Sequence, residues 1–428
     1  MCTVPGTMCT VPRDASAVAA ALTAARDRRT WRFAAALLLG GVAAGLVAAG
    51  LTALLHAVQH LAFGYRTGHF EDGVLHAARW RRVVVLAVAG VVAGGGWYLL
   101  GRFARPTVRV RTAVQQRVPM RPVPTVLESV LQIVVVGLGA SLGRESAPRR
   151  TSGALAQVLG QRVGLPPEQL RVLVACAAGA GFGAVYDVPA AGALFALEVL
   201  LRSVRPAHVL TAAGVAAVAT VVAWIEVPTG AFYDVGFAGW SWLLLLAALV
   251  AGPLTAAAGL GFEWVTAWAG RHRARGRAVP ATAVPVFLAL GVLAVWAPSL
   301  LGNGRGPAQL AFDDARTDAV LIAFGLAKPL VTAACLRTGA TGGLVTPALA
   351  TGALLGAGLG GLVLTPALAT EVAVLGVAGL LTVTMRAPLT AVAFAFEVTG
   401  APWWFLVPVL VTAAGAWTCT AGWRRPPG

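Results

Sequence analysis

Two short phrases each place a glycine break and a proline at the head of an apolar run: Gly143-Arg-Glu-Ser-Ala-Pro148 and Gly342-Gly-Leu-Val-Thr-Pro347. Glycines ahead of a helix start permit close backbone approach, and the N–H groups of the first turn have no partner inside the helix. Together with the positive end of the helix dipole they form an anion site that needs no lysine or arginine. Two such starts meeting near the middle of an apolar fold would make an anion pathway; a cation pathway would show carboxylate rings or a carbonyl-rich filter. Glu145 stands out inside the first phrase, because an ionisable group beside a glycine break in apolar surroundings is a functional candidate by default. The plainer alternative is an ion pair with its neighbour Arg144 at a helix end.

A second pair of phrases follows in the same order. Pro189-Ala-Ala-Gly-Ala-Leu-Phe-Ala-Leu-Glu198 and Pro388-Leu-Thr-Ala-Val-Ala-Phe-Ala-Phe-Glu397 each place a proline nine residues before a glutamate, with Phe195 and Phe394 in register. Two motifs repeated in order indicate a duplicated chain. Its halves run roughly over 33–225 and 241–421. Outside the motifs, Lys328 is the only lysine. It reads as a snorkelling or paired structural cation in preference to an electrostatic aid to anions. Asp187 beside Pro189 reads as a helix N-cap, and Glu397 and Arg386 as residues that pair or cap helix ends. His56 and His60 have the spacing of two metal ligands on a helix, but no third ligand accompanies them, so no metal is expected. Cys2, Cys9, Cys176, Cys335 and Cys419 form no CxxC pair. There is no GxSxG or HExxH, Ser152 has no evident base, and neither an enzyme nor a cofactor is expected.

The elements that must hold these motifs are apolar. Of 428 residues, 58% are hydrophobic and 12% charged, and the mean hydropathy is +0.78. Soluble domains carry about 25% charged residues, so a soluble protein is excluded, and disorder with it. An all-α polytopic membrane protein remains. Apolar stretches run at 33–64, 83–101, 124–142, 171–202, 207–225, 241–269, 280–301, 319–336, 344–366, 372–396 and 402–421. A bilayer span needs about 20 apolar residues. Short or interrupted stretches in both halves, such as 138–160 and 334–356, mark inverted-repeat folds with broken and re-entrant helices. The net charge of +16 comes from arginine clusters between apolar stretches, which fits membrane orientation better than nucleic-acid binding. The clusters lie in the tail of residues 1–32, in 102–121, in 270–279 and at Arg424 and Arg425, so these and both termini are expected in the cytoplasm of a cell-membrane protein. The 65–82 loop, with Arg66, Arg79, Arg81 and Arg82, fits less well on the external side that this orientation assigns it. The doubled MCTVP at 1–5 and 8–12 does not resemble a secretory signal, and no soluble domain is expected beyond the last apolar stretch.

Four stretches resemble the ClC family of chloride channels and chloride/proton exchangers, in the family's order and across most of the chain. They are LGRESAP at 142–148, AGAGFGAVYDVPAAGALFALEVL at 178–200, GATGGLVTPALATGALLG at 339–356 and RAPLTAVAFAFEVTG at 386–400. The first is similar to the family's G-[KR]-E-G-P segment and the third to its G-x-F-x-P segment. The resemblance implies an inverted-repeat helical fold in the lipid membrane, a homodimer with one pore per subunit, and chloride or a similar small anion as partner. It implies that Glu145 is the gating glutamate, competing with an anion and yielding on protonation or rotation. Gly143, Arg144 and Ser146 flank that glutamate in the anion-binding segment, and Leu344 and Val345 carry over as backbone donors.

Several positions depart from the family. Ser146 replaces the glycine after the gating glutamate, with the proline displaced to Pro148, and Val345 stands where an aromatic is usual. The G-S-G-I-P segment with the central serine should fall near 104–108, where this chain reads Ala104-Arg-Pro-Thr-Val108. Arg105 or Thr107 facing the pore and a plain cytoplasmic turn are both open there. No tyrosine follows Tyr233 to serve as the family's late pore tyrosine. Val199 stands where exchangers commonly have a proton-transfer glutamate, which favours channel-like conduction. A chloride/proton antiporter is the first alternative and a transport-dead structural homologue the second, and fluoride stays among the candidate anions.

Overall fold

The computed structural model describes residues 14–313 and 317–423. The MCTVP copies, Cys2, Cys9, Arg13, Arg424 and Arg425 lie outside the described residues, as do the side chains of Arg26, Arg28 and Arg29. The described chain is helical, with seventeen α-helices. Seven are long and apolar enough to cross a membrane, from Thr30–Phe63 to Trp403–Thr420, and five shorter apolar helices accompany them. This is a multi-pass, all-helical membrane protein with broken helices.

The first span belongs to a 50-residue helix, Asp14–Phe63. At 1.5 Å per residue it far exceeds a hydrocarbon core of about 30 Å. Two of the four ill-fitting arginines of the 65–82 loop are bound at helix ends, one of them at the end of this helix. Arg81 donates to the carbonyls of Ala62 (2.7 Å) and Leu61 (3.0 Å), while Arg82 donates to those of Leu75 (2.6 Å) and Ala294 (3.1 Å). These carbonyls are the unpaired groups of helix C-termini, where cations are favoured. The two arginines are consumed as caps.

Two stretches that composition reads as continuous are each cut. Residues 171–202 divide into Pro167–Ala184 and Pro189–Leu194, the latter continuing as a π-helical turn Phe195–Leu201. Residues 372–396 divide into Pro366–Met385 and Pro388–Val398. In each case a residue two before the proline takes left-handed φ, Asp187 at 58° and Arg386 at 53°. The proline then restarts the helix at its first position, where its missing N–H costs nothing. Asp187 is therefore not the expected N-cap, a position that falls to Val188. Its carboxylate instead accepts from Trp224 Nε1 and the Gly230 N–H, both at 2.8 Å, because the left-handed turn points it across the loop.

The repeated glutamates cap each other's half. Glu397 accepts from the N–H groups of Ala190 (2.9 Å) and Ala191 (2.8 Å). Glu198 accepts from the N–H groups of Leu389 (3.2 Å) and Thr390 (2.8 Å) and from the Thr390 hydroxyl (2.7 Å). Each carboxylate thus meets the free donors and positive dipole end of the helix opened by the other half's proline. Arg386 pairs with Glu263 at 3.2 Å. Phe195 and Phe394 both pack on the buried Phe182, at centroid distances of 5.1 and 5.5 Å. The duplication is thereby an interlock around a shared core.

Helix Pro366–Met385 lies inside this core, with 83% of its apolar window buried against 33% for the peripheral Pro206–Ala223. It packs on Val345–Gly361 through Gly352 and Gly376, where a Cβ on either would overlap the other's carbonyl. Small residues of this kind let membrane helices approach closely. That contact fixes where the N-terminus of Val345–Gly361 points.

Candidate functional site

Each half breaks a helix at the same place. Residues 138–145 separate Pro122–Gly137 from Ser146–Arg162, and residues 338–344 separate Asp318–Arg337 from Val345–Gly361. Gly139 and Gly339 take positive φ, 102° and 92°, at the two breaks. The breaks then meet. The Gly143 N–H donates to the Gly343 carbonyl (2.8 Å) and the Gly343 N–H to that of Gly143 (2.9 Å), an isolated antiparallel bridge. Gln132 braces it, donating to the Gly143 carbonyl at 2.8 Å and accepting from the Ser146 hydroxyl at 2.7 Å. Backbone polar groups stranded inside an apolar protein are satisfied in this way.

Glu145 occupies the N-cap position of Ser146–Arg162 and is fully buried. Its carboxylate does not cap its own helix. Oε1 accepts the Val345 N–H at 2.8 Å, the first N–H of the opposite half's re-entrant helix. Oε2 accepts from the hydroxyls of Tyr186 and Thr346, each at 3.2 Å. The same carboxylate lies flat against Gly143 and Gly343, where any Cβ would overlap it. A negative oxygen rests on free donors at the positive end of a helix, the position an anion itself would favour.

The hydroxyls add a proton count. Tyr186 Oη and Thr346 Oγ1 are 2.6 Å apart. With Glu145 Oε2 they form a triangle of three contacts, yet the two hydroxyls supply two protons. A proton on Glu145 would complete it.

The remaining expected residues divide around this centre. Arg144, 4% exposed, turns away from Glu145, and the ion pair between them does not form. Its Nη2 donates to the Val185 carbonyl at 2.8 Å, and its guanidinium lies over the rings of Tyr186 (4.9 Å) and Phe232 (5.3 Å). Gly143 and Ser146 belong to the bridge and its brace. Leu344 is the N-cap of Val345–Gly361, and Val345 supplies the donor that reaches the carboxylate. Thr107 is engaged elsewhere. Its hydroxyl donates to Glu128 Oε2 at 2.7 Å and receives Arg150 Nη2 at 2.6 Å.

Tyr186 and Thr346, neighbours of the carboxylate, and Gln132, the brace of the bridge, are residues that sequence reading did not single out. A signal existed for the bridge itself: Gly139-Ala-Ser-Leu-Gly143 and Gly339-Ala-Thr-Gly-Gly343 share glycine, alanine and hydroxyl in register. Lys328, fully buried, donates to the carbonyls of Leu300 (3.0 Å) and Gly302 (2.9 Å), so it does not snorkel and its partners are backbone. His56 hydrogen-bonds Glu226 at 3.0 Å, and no metal-binding group of three is found among the described residues.

A family model described as voltage gated chloride channel matches residues 89–420. Among curated relatives, the voltage-gated ClC-type chloride channel ClcB of Citrobacter koseri is 27% identical over 390 residues, covering 84% of this chain and 89% of that protein. The protein of the same name from Shigella flexneri is 27% identical over 388 residues, with the same two coverages, 84% and 89%. Among solved structures, a slow cyanobacterial Cl−/H+ antiporter aligns with a TM-score of 0.79 at 20% identity, over 92% of this chain and 96% of that one. A CLC-type fluoride/proton antiporter aligns with a TM-score of 0.70 at 19% identity, over 90% and 94%. These last two likenesses are of fold. With most of its length inside the family match, and two broken helices joined at the motifs of that family, this chain belongs to the voltage gated chloride channel family.

Proposed function

We propose that this protein carries chloride or a similar small anion across the cell membrane, along a path passing the starts of Ser146–Arg162 and Val345–Gly361, with Glu145 as the gate. The observation that carries this reading is the seat of the Glu145 carboxylate on the Val345 N–H at 2.8 Å. A carboxylate there is a tethered anion that blocks a mobile one. Protonation removes its charge and its claim on the helix end, and the vacated N–H and hydroxyl donors suit a desolvated halide. Gly143 and Gly343 keep the seat open to both occupants. The reading places both termini in the cytoplasm and the working unit as a homodimer.

Channel-like conduction remains our preferred form. Val199 has no proton to give, and the adjacent Glu198 is held by three donors on Leu389 and Thr390, so it is not free to substitute. One observation favours the antiporter instead: the hydroxyl triangle is one proton short while Glu145 is ionised, which suits a site that takes up a proton each cycle. The two antiporters of similar fold support that alternative. Purified protein in liposomes separates the forms. Under opposed chloride and pH gradients, reversal at the chloride equilibrium potential is expected. Reversal that moves with the pH gradient assigns exchange, and absence of anion flux above empty vesicles from acid to neutral pH sinks both in favour of a transport-dead homologue.

The seat also predicts the effect of its hydroxyls. A hydrogen bond to a charged group contributes about 1.5–3 kcal/mol, and 1.4 kcal/mol is a factor of ten. Tyr186→Phe should therefore free the seat more often and raise neutral-pH flux at least about tenfold. Stopped-flow efflux reads this directly, and unchanged efflux removes Tyr186 from the gate.

A further inference from the structure

We infer that Glu128 is a second tethered carboxylate, filling a halide-type site built by Arg150, Thr107 and Thr341 one step along the chain path from the seat of Glu145. Glu128 Oε2 accepts from Arg150 Nη2 at 2.6 Å and from the Thr107 hydroxyl at 2.7 Å. Oε1 accepts from the Thr341 hydroxyl at 2.8 Å. Trp97 Nε1 donates to Thr341 Oγ1 at 3.1 Å and Arg150 donates to Thr107 Oγ1, so each hydroxyl already accepts a hydrogen bond and turns its own proton onto the carboxylate. The Glu128 and Arg150 side chains are only 12% and 14% exposed. Arg150 Nε is buried with no partner, so the site holds more donor capacity than Glu128 uses.

The pattern repeats that of Glu145. In both places donors from separate segments converge on one carboxylate, and the two hydroxyls touching each are brought by different parts of the chain. Here the segments are the turn after helix Arg79–Phe103, helix Ser146–Arg162 and the break before Val345. Thr341 lies two residues before Gly343, against which Glu145 rests, and two residues of chain span at most about 7 Å. The two carboxylates therefore rest on neighbouring residues of one break. Remove the Glu128 charge, and a guanidinium and two hydroxyls face a space with no anion. Those are the groups that take a halide in place of its water. An ion pair serving only to clip helices together would take none.

The naming of the ion as a halide rests on the transport reading; the vacancy and its charge do not. Bromide is the probe, on the full-length protein. Glu128→Gln should gain an anomalous bromide peak in contact with Arg150 and Thr341 that the wild type lacks. Its melting temperature should rise with bromide concentration, while that of the wild type stays flat. The charge-neutral double variant Glu128→Gln/Arg150→Gln should lose both responses. A folded Glu128→Gln variant without the peak and without the bromide-dependent melting overturns the inference. So does one that stays unfolded even in high bromide, since the halide was to stand in for the carboxylate. A bromide response in the double variant overturns it as well. None of these readouts needs transport. A gain of bromide beside a wild type that passes no anion keeps this inference and sinks the transport reading, and flux without the gain does the reverse.

Discussion

Glu145→Gln should conduct anions with no response to pH and without coupled proton movement. The amide keeps the shape of the protonated carboxyl and cannot change charge, so it has no electrostatic claim on the Val345 N–H that the native oxygen takes at 2.8 Å. Its NH2 group can supply the proton that the hydroxyl triangle lacks, as the protonated carboxyl would, so the variant stands for the acid form at every pH. Without a charge the side chain yields the seat to an anion. Flux at neutral pH should rise to the level the wild type reaches only in acid, a change of at least tenfold. The measurement is chloride efflux from liposomes at several pH values for both proteins, with proton flux recorded alongside. An unaltered pH profile in the variant would move the gate to another residue.

Gly343→Ala should phenocopy that loss from the other side of the contact. A Cβ at Gly343 would overlap the Glu145 carboxylate, while the backbone on which it sits is tied to Gly143 by the two bridge hydrogen bonds. Neither the bridge nor the buried helix start can retreat without stranding backbone donors, each costing about 1–3 kcal/mol. The carboxylate is the movable partner, and it should be expelled. The alanine variant is then expected to show pH-independent flux, and adding Glu145→Gln to it should change nothing further. Such non-additivity is the mark of two substitutions acting through one contact. Melting temperatures complete the test. Gly343→Ala should lie below the wild type, and Glu145→Ala/Gly343→Ala should recover part of the loss, because the overlap is gone. Full additivity of the two flux effects would show that Gly343 acts on something other than Glu145.

A membrane-embedded helical protein in two related halves follows from the sequence alone, because both properties are additive over residues. Hydropathy sums along a stretch. The order glycine break, proline, phenylalanine and glutamate recurs in each half whatever the fold, and Glu145 is conspicuous as a carboxylate beside a glycine. The seven long apolar helices agree with that reading. Where a stretch is cut is already beyond it. Asp187 and Arg386 take left-handed φ because the next helix must start at a proline and meet the other half's glutamate, and neither residue type announces this.

Partnership was decided by the tertiary structure throughout. Arg144 is adjacent to Glu145 in the chain yet forms no ion pair with it, its guanidinium going to the Val185 carbonyl and the Tyr186 and Phe232 rings. Val345 is two hundred residues from Glu145 and supplies its first donor. Thr107, whose place in a pore or in a plain turn its position leaves open, meets Glu128 and Arg150, and Arg81 and Arg82 of the 65–82 loop turn out to cap helix carbonyls. A sequence states which groups can donate, accept or carry charge. Which donor meets which acceptor depends on the close approach of Gly352 and Gly376 within the second half and on the bridge between Gly143 and Gly343, which exists only once both halves have folded against each other.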